Sequence, residues 1–189
     1  MPNPVVVFDA CVLYPAPLRD LLMQVALTGI TRACWTNAIH DEWTRNVLKQ
    51  RPDLQAAQLQ RTRELMNAAV RDCLVEGFEL LIPNLTLPDA DDRHVLAAAI
   101  HGGAQAIITF NLSDFPRSAL EPHGIVALHP DNFLMQLFDK DENAVCTAVS
   151  RQRASLRNPP QTIEQLLETL ERQGLQKTVA RFKQLTQAI

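Results

Sequence analysis

Four short segments of this chain carry carboxylates at points where the sequence predicts that a strand ends or a helix begins. They contain Asp9, then Asp41 and Glu42, then Asp89, Asp91 and Asp92, and finally Asp114. Carboxylates that gather at one point repel each other and resist desolvation, so a protein that gathers them usually binds a hard cation there. A hard cation in an open carboxylate site favours phosphoester chemistry.

The first segment predicts a buried parallel strand that ends at an acid. Val5 to Phe8 is a continuous apolar run of β-branched and aromatic residues, and Asp9 follows it directly. Open α/β sheets bind ligands at this carboxyl end of their strands. In the alternative interpretation, Asp9 is a turn or cap residue without a further role.

The other acids lie at comparable positions. Asn37 is the predicted N-cap of a helix that carries Glu42 at the edge of its apolar face. Asp91-Asp92 opens a helix that is apolar almost all round, and Asp114 follows a predicted strand at residues 106–109. Each acid has an alternative explanation as a solvated surface residue, a helix-terminal acid or a turn residue. Their common position at the start or end of an element favours one shared site.

The order of these motifs resembles that of the PIN-domain ribonucleases, and in particular the toxin subunits of bacterial VapBC-type toxin–antitoxin pairs. The similarity covers about residues 4–138. It implies that the metal-binding and catalytic acids are Asp9, Glu42, Asp92 and Asp114. Thr109 and Asn111 match the polar residues that accompany the fourth acid. Asp92 matches the third acid because an apolar, alanine-rich stretch begins three residues later, and Asp89 and Asp91 are the alternatives.

The resemblance also implies a fold, a reaction and partners. The fold is a PIN-like α/β three-layer sandwich, in which helices flank a central parallel sheet. The reaction is hydrolysis of RNA phosphodiester bonds with Mg²⁺ or Mn²⁺, and the partners are a small cognate antitoxin and a second copy of the chain in a homodimer. Two alternatives stay open: a catalytically silent PIN-like domain that binds proteins, and a phosphatase of the haloacid dehalogenase type. Such phosphatases carry a second Asp where this chain has Cys11, which argues against that alternative.

The composition agrees with a compact intracellular enzyme. The chain has 189 residues, of which 47% are hydrophobic, as is normal for a globular protein. Its cysteines are scattered without a Cys-x-x-Cys pair, which argues against a zinc site and favours reduced core thiols. The sequence predicts neither a signal peptide nor a membrane span. We therefore expect a cytoplasmic protein.

The net charge of −3 is unusual for a protein that binds RNA. Much of the acidity belongs to the predicted metal site, where bound cations would offset it. Between Trp43 and Leu74 basic residues outnumber acidic ones, and they either bind RNA or form ordinary solvated helix faces. Arg45 follows Glu42 by three residues on the same side of a helix, so it either touches a substrate phosphate or neutralises a neighbouring acid.

Two regions follow from the remaining pattern. We predict a PIN-like nuclease domain at residues 1–139 and a helical extension at residues 140–189, which consists of a helix and an αα-hairpin. In the hairpin, Thr162 and Gln165 predict a capping box and Gly174 predicts the turn. The extension either packs on the domain or binds a partner or RNA. Further predicted elements are a helix at 54–74 and strands at 78–82 and 125–128.

Overall fold

The computed structural model describes residues 3–187. Its centre is a parallel four-stranded sheet in the order β2-β1-β3-β4. The strands are β1 (Val5–Phe8), β2 (Arg32–Cys34), β3 (Ala106–Ile108) and β4 (Val126–Leu128). The chain passes from β1 to β2 on one side and then returns to β3 on the other side of β1. The carboxyl ends of β1 and β3 therefore form the topological switch point, where open α/β sheets bind ligands.

Helices cover both faces of this sheet. They are α1 (Ala10–Leu13), α2 (Ala16–Leu27), α3 (Asn37–Gln50), α4 (Ala56–Ala69), α5 (Arg93–His101), α6 (Arg117–Leu120), α7 (Pro130–Lys140), α8 (Glu142–Ser155), α9 (Ile163–Arg172) and α10 (Gln176–Gln187). Successive strand side chains point to opposite faces, yet Val6, Val7 and Phe8 are at most 1% exposed. The ring of Phe8 meets Phe133 of α7 edge to face at 6.3 Å between centroids. The predicted α/β sandwich is confirmed.

The helical C-terminal region packs on the sandwich. Helices α8 and α9 contact α2, and α10 contacts α7. The capping box of Thr162 and Gln165 and the turn at Gly174, whose φ is +92°, are both present as predicted. No helix within residues 3–187 is long and apolar enough to cross a membrane.

Two local predictions from the sequence were wrong, and one strand was not predicted. The segment 78–82 does not form a strand, because most of it lies in a 3₁₀ helix, Glu79–Asn84. Strand β2 was not predicted. Helix α3 is capped by Thr36 and not by Asn37: Thr36 has an extended backbone, and its Oγ1 accepts a 3.0 Å hydrogen bond from the N–H of Ile39.

Candidate active site

Asp9 lies at the switch point, directly after β1, and is almost completely buried at 3% exposure. Its Oδ1 accepts a 2.7 Å hydrogen bond from the N–H of Ala10, so it caps the short helix α1. Its Oδ2 accepts a 2.7 Å hydrogen bond from the hydroxyl of Thr109, which directly follows β3. The two strand ends are thus joined through one carboxylate, whose orientation these donors fix.

Cys11 is a second partner of Asp9, and the sequence analysis assigned it only to the core. Burial, followed by the charge of Asp9, raises the pKa of the Cys11 thiol to about 12, so the thiol stays protonated. It donates to Oδ2 of Asp9 at 3.1 Å, and its sulfur accepts a 3.2 Å hydrogen bond from the N–H of Phe110. Cys11 therefore links α1 to the loop after β3. The sequence signal was its place two residues after the first acid.

Thr109 organises the loop that carries Asn111 and Asp114. Its hydroxyl donates to Asp9 and also accepts a 3.0 Å hydrogen bond from the N–H of Asn111. The N–H of Asp114 in turn donates to the carbonyl of Asn111 at 3.1 Å, which closes a short 3₁₀ turn, Leu112–Asp114. Because Thr109 is fully buried, this loop leaves the sheet in one defined direction.

The remaining predicted acids face a single open cleft of about 630 Å³ beside Asp9. Helix α3 contributes Glu42, the turn before α5 contributes the acids from Asp89 to Asp92, and the loop after β3 contributes Asp114. Asp89 caps its own turn, since it accepts a 2.8 Å hydrogen bond from the N–H of Asp91. The fold therefore brings acids from separate parts of the chain to one cleft. Asp9 is buried and is not among the residues that line it.

The electrostatics connect Asp92 to the other acids. Burial raises the pKa of Asp92 to about 7, and repulsion from neighbouring carboxylates adds to this effect. These carboxylates are, in order of decreasing influence, Asp9, Asp89, Asp114 and Glu42. Burial also raises the pKa of Asp9, although its hydrogen bonds from Thr109 and Cys11 partly oppose the shift. Asp92 thus interacts electrostatically with acids from the other segments.

The donor set suits a hard divalent cation. It offers carboxylate oxygens, which Mg²⁺ and Mn²⁺ prefer, and a bound cation would relieve the repulsion around Asp92. In residues 3–187, no three acidic, histidine or cysteine side chains are arranged closely enough to form a set of metal ligands as the structure stands. Small cations that retain waters do not require such a closed cage.

His94 also lies in the cleft, and sequence reasoning gave it no role. Its Nε2 is 3.4 Å from Oε2 of Glu42, and its Nδ1 is buried without a hydrogen-bond partner in the described part of the chain. The available signal was its place in the first turn of α5, two residues after Asp92. His94 of α5 thus lies beside Glu42 of α3 in the cleft.

Ion pairs occupy several of the basic residues that the sequence offers for RNA binding. Arg51, Arg61 and Arg63 pair with Asp53, Glu64 and Asp41 at 2.7, 3.6 and 2.6 Å, respectively. Arg45 is exposed, lines the acidic cleft and makes no ion pair among residues 3–187. Of the basic residues in this segment, Arg45 is the one that lines the acidic cleft among the described residues.

Two family models match this chain. Residues 5–113 match the PIN domain, and residues 130–184 match the VapC50 C-terminal domain. The chain therefore belongs to the PIN-domain family, and the resemblance to VapC-type proteins is confirmed. No solved structure matches the chain significantly.

One similar curated protein is "Putative ribonuclease VapC50" from Mycobacterium tuberculosis. It is 44% identical to this chain over 82 residues, which are 43% of this chain and 48% of the relative. The chain thus matches about half the length of that relative.

Proposed function

We propose that this protein is a metal-dependent ribonuclease that hydrolyses RNA phosphodiester bonds as the toxin of a VapBC-type pair. The observation that carries the proposal is the gathering of acids around one cleft at the switch point of a PIN fold. The similarity to a protein named as a ribonuclease supports the same reaction.

The proposed ligands of one or two Mg²⁺ or Mn²⁺ ions are Asp9, Glu42, Asp92 and Asp114. When bound, such an ion lowers the pKa of an attacking water and stabilises negative charge on the phosphate. Asp91 and Asp89 are less suited to the role of third acid, because Asp89 is engaged in capping its own turn and the raised pKa belongs to Asp92.

The other side chains of the site hold these acids in place or face the substrate. Thr109 and Cys11 keep the Asp9 carboxylate ordered, so the site is preorganised before RNA binds. Arg45 can neutralise a phosphate that enters the cleft, because its guanidinium has no carboxylate partner among the described residues. Asn111 offers an amide to the same space.

The acid-to-amide variants Asp9→Asn and Asp92→Asn test the proposed catalysis. We expect each to reduce RNA cleavage in Mg²⁺ or Mn²⁺ by more than ~10²-fold, the scale of losing a major electrostatic contact. Asp139→Asn is the matched control, since Asp139 is an exposed acid of α7 outside the cleft. Full activity of both Asp9→Asn and Asp92→Asn would refute the assignment. Inactivity of Asp91→Asn alone would move the third ligand to Asp91.

We further propose a small antitoxin partner, a homodimer and a cytoplasmic location, as the resemblance to VapC-type toxins implies. Light scattering tests the homodimer and the antitoxin complex. It measures the mass of the purified chain alone and after mixing with the product of a neighbouring short reading frame. A monomer that binds no such product would contradict them.

The division into a nuclease domain at 1–139 and an extension at 140–189 is also a proposal. Helix α7 lies on the nuclease side of this division, although the C-terminal family model begins at residue 130 and so includes α7. Limited proteolysis tests the division: a first cut between α7 and α8 would support it, and a first cut between β4 and α7 would contradict it.

A further inference from the structure

A second pocket adjoins the acidic cleft. Its volume is about 390 Å³, within the range of small-molecule sites. Glu42, Asn46 and Asn111 line both spaces, so the two form one continuous groove. The second pocket is chemically different from the first, because Glu42 is its one carboxylate among the described lining residues while Tyr14 and Lys49 also face it.

Helix α3 determines the direction of this groove. Glu42, Asn46 and Lys49 lie at positions i, i+4 and i+7, which place them on one side of the helix, and Gln50 follows at i+8. Lys49 is about 10 Å from Glu42 along the helix axis, which is roughly the length of three stacked nucleotides. A strand whose phosphate lies at the acids would therefore extend along this side of α3.

The polar groups of the second pocket are open to a ligand. Within residues 3–187, the side chains of Asn46, Lys49 and Gln50 form no hydrogen bond or ion pair, and all three are exposed. Tyr14 differs from them, because its ring is half-buried and packs against the core, which restricts its motion before any ligand arrives. The pocket thus combines a half-buried aromatic ring with exposed amides and an exposed ammonium group.

We infer that this second pocket binds a nucleotide that flanks the cleaved phosphodiester of a single-stranded RNA. The inference rests on the proposed ribonuclease function. Proteins bind unpaired nucleotides by stacking bases on aromatic rings and by hydrogen bonds to base edges, which are accessible in single strands. Tyr14 supplies the ring, Asn46 and Gln50 supply the amides, and Lys49 binds a phosphate farther along the strand.

Fluorescence anisotropy with a short single-stranded RNA tests this inference. Ca²⁺ replaces Mg²⁺, and a denaturing gel confirms that the RNA remains intact. We expect Lys49→Gln to flatten the slope of log Kd against log salt by about 0.7, the value for one phosphate contact on a single strand. We expect Tyr14→Leu to weaken binding roughly 5- to 100-fold at an unchanged slope, as for the loss of one base stack.

Two control variants isolate these effects. Arg71→Gln removes an exposed positive charge that lines neither pocket, so it should keep the wild-type slope. Tyr14→Phe retains the ring without the hydroxyl, so it should bind like the wild type. Because Lys49 is exposed, its substitution should leave the packing of the core unchanged.

The outcomes separate this inference from the proposed function. If wild type binds RNA but Lys49→Gln and Tyr14→Leu bind it identically, the pocket is not a nucleotide site, whatever the enzyme does. If these variants instead lose affinity only for a protein partner, the pocket belongs to that partner and the inference is wrong. If Lys49→Gln flattens the slope while Asp92→Asn cleaves RNA normally, it is the catalytic assignment that fails.

Discussion

The hydroxyl of Thr178 donates a 2.7 Å hydrogen bond to Oδ1 of Asp131, and both side chains are buried. The backbone N–H groups of Lys177 and Thr178 donate to the same carboxylate at 2.9 Å each. A carboxylate in this position also interacts favourably with the dipole of α10. Because Asp131 lies in the first turn of α7, directly after β4, these bonds fasten the C-terminal hairpin to the sandwich.

Thr178→Val should destabilise the protein by about 1–3 kcal/mol, because it keeps the side-chain shape but removes one donor to a buried charge. Urea unfolding measures the change. Thr169→Val is the matched control, since the Thr169 hydroxyl bonds to a carbonyl of its own helix at the surface. Equal stability of the two variants would mean that the Asp131 network does not hold the extension.

Gly174 brings the hairpin turn against the active-site loop. A Cβ at this position would lie 3.4 Å from Cε1 of Phe110, and the Phe110 ring packs edge to face on His129 at 5.1 Å. Phe110 stands between Thr109 and Asn111, so a shift of its ring should be transmitted to the site. Part of the C-terminal extension therefore supports the loop that carries Asp114.

Gly174→Ala should lower the rate of RNA cleavage by more than its loss of folding stability alone explains. The alanine costs about 1–2 kcal/mol for its left-handed backbone, and its methyl group also contacts the Phe110 ring at 3.4 Å. Gly103→Ala is the control, because Gly103 has φ +65° and no atom within 4 Å of its added Cβ. Unfolding and cleavage are measured for both variants. Equal losses of activity would show that backbone strain alone is responsible.

The strands of the sheet could be predicted only where their own residues are typical of strands. Val5 to Phe8 is apolar and β-branched, and it forms β1 as predicted. Strand β2, Arg32–Cys34, lacks β-branched residues and exists because its backbone pairs with β1. The run at 78–82 is apolar except for Glu79, yet Leu80 is 86% exposed and Pro83 cannot donate a ladder hydrogen bond, so a 3₁₀ helix forms.

The candidate site likewise contains residues that could be predicted from the sequence and residues that could not. The positions of Asp9 beside the cleft and of Asp114 in its lining were predictable, because both follow strands whose carboxyl ends meet at one edge. The roles of Cys11 and His94 were not, because they depend on contacts with Phe110 and Glu42 that only the folded chain creates. Short-range sequence patterns contain no information on such long-range pairs.

The raised pKa of Asp92 predicts how stability depends on pH without metal. Burial and neighbouring acids raise this pKa from 3.8 to about 7, so the folded state binds more protons than the unfolded chain in this window. The contribution of Asp92 to stability therefore falls as the pH rises from 3.8 to about 7. Urea unfolding in EDTA over this range measures the slope.

Asp92→Asn should flatten this dependence but not remove it, because the pKa of Asp9 is also raised. Asp139→Asn should retain the wild-type slope, since this exposed acid lies outside the cleft. A wild-type slope in Asp92→Asn would show that Asp92 titrates normally in the folded protein.

A divalent cation should reverse this destabilisation. An ion that binds only the folded state stabilises it by about 2.7 kcal/mol at a concentration 100-fold above its Kd. We therefore expect Mg²⁺ or Mn²⁺ to raise the Tm of the wild type and of Asp139→Asn by equal amounts. Asp9→Asn and Asp114→Asn should show a smaller rise from a higher metal-free Tm, because each has lost a ligand and a repelling charge. Thermal unfolding with and without metal measures both quantities, and an identical rise in all four proteins would mean that these acids do not share an ion.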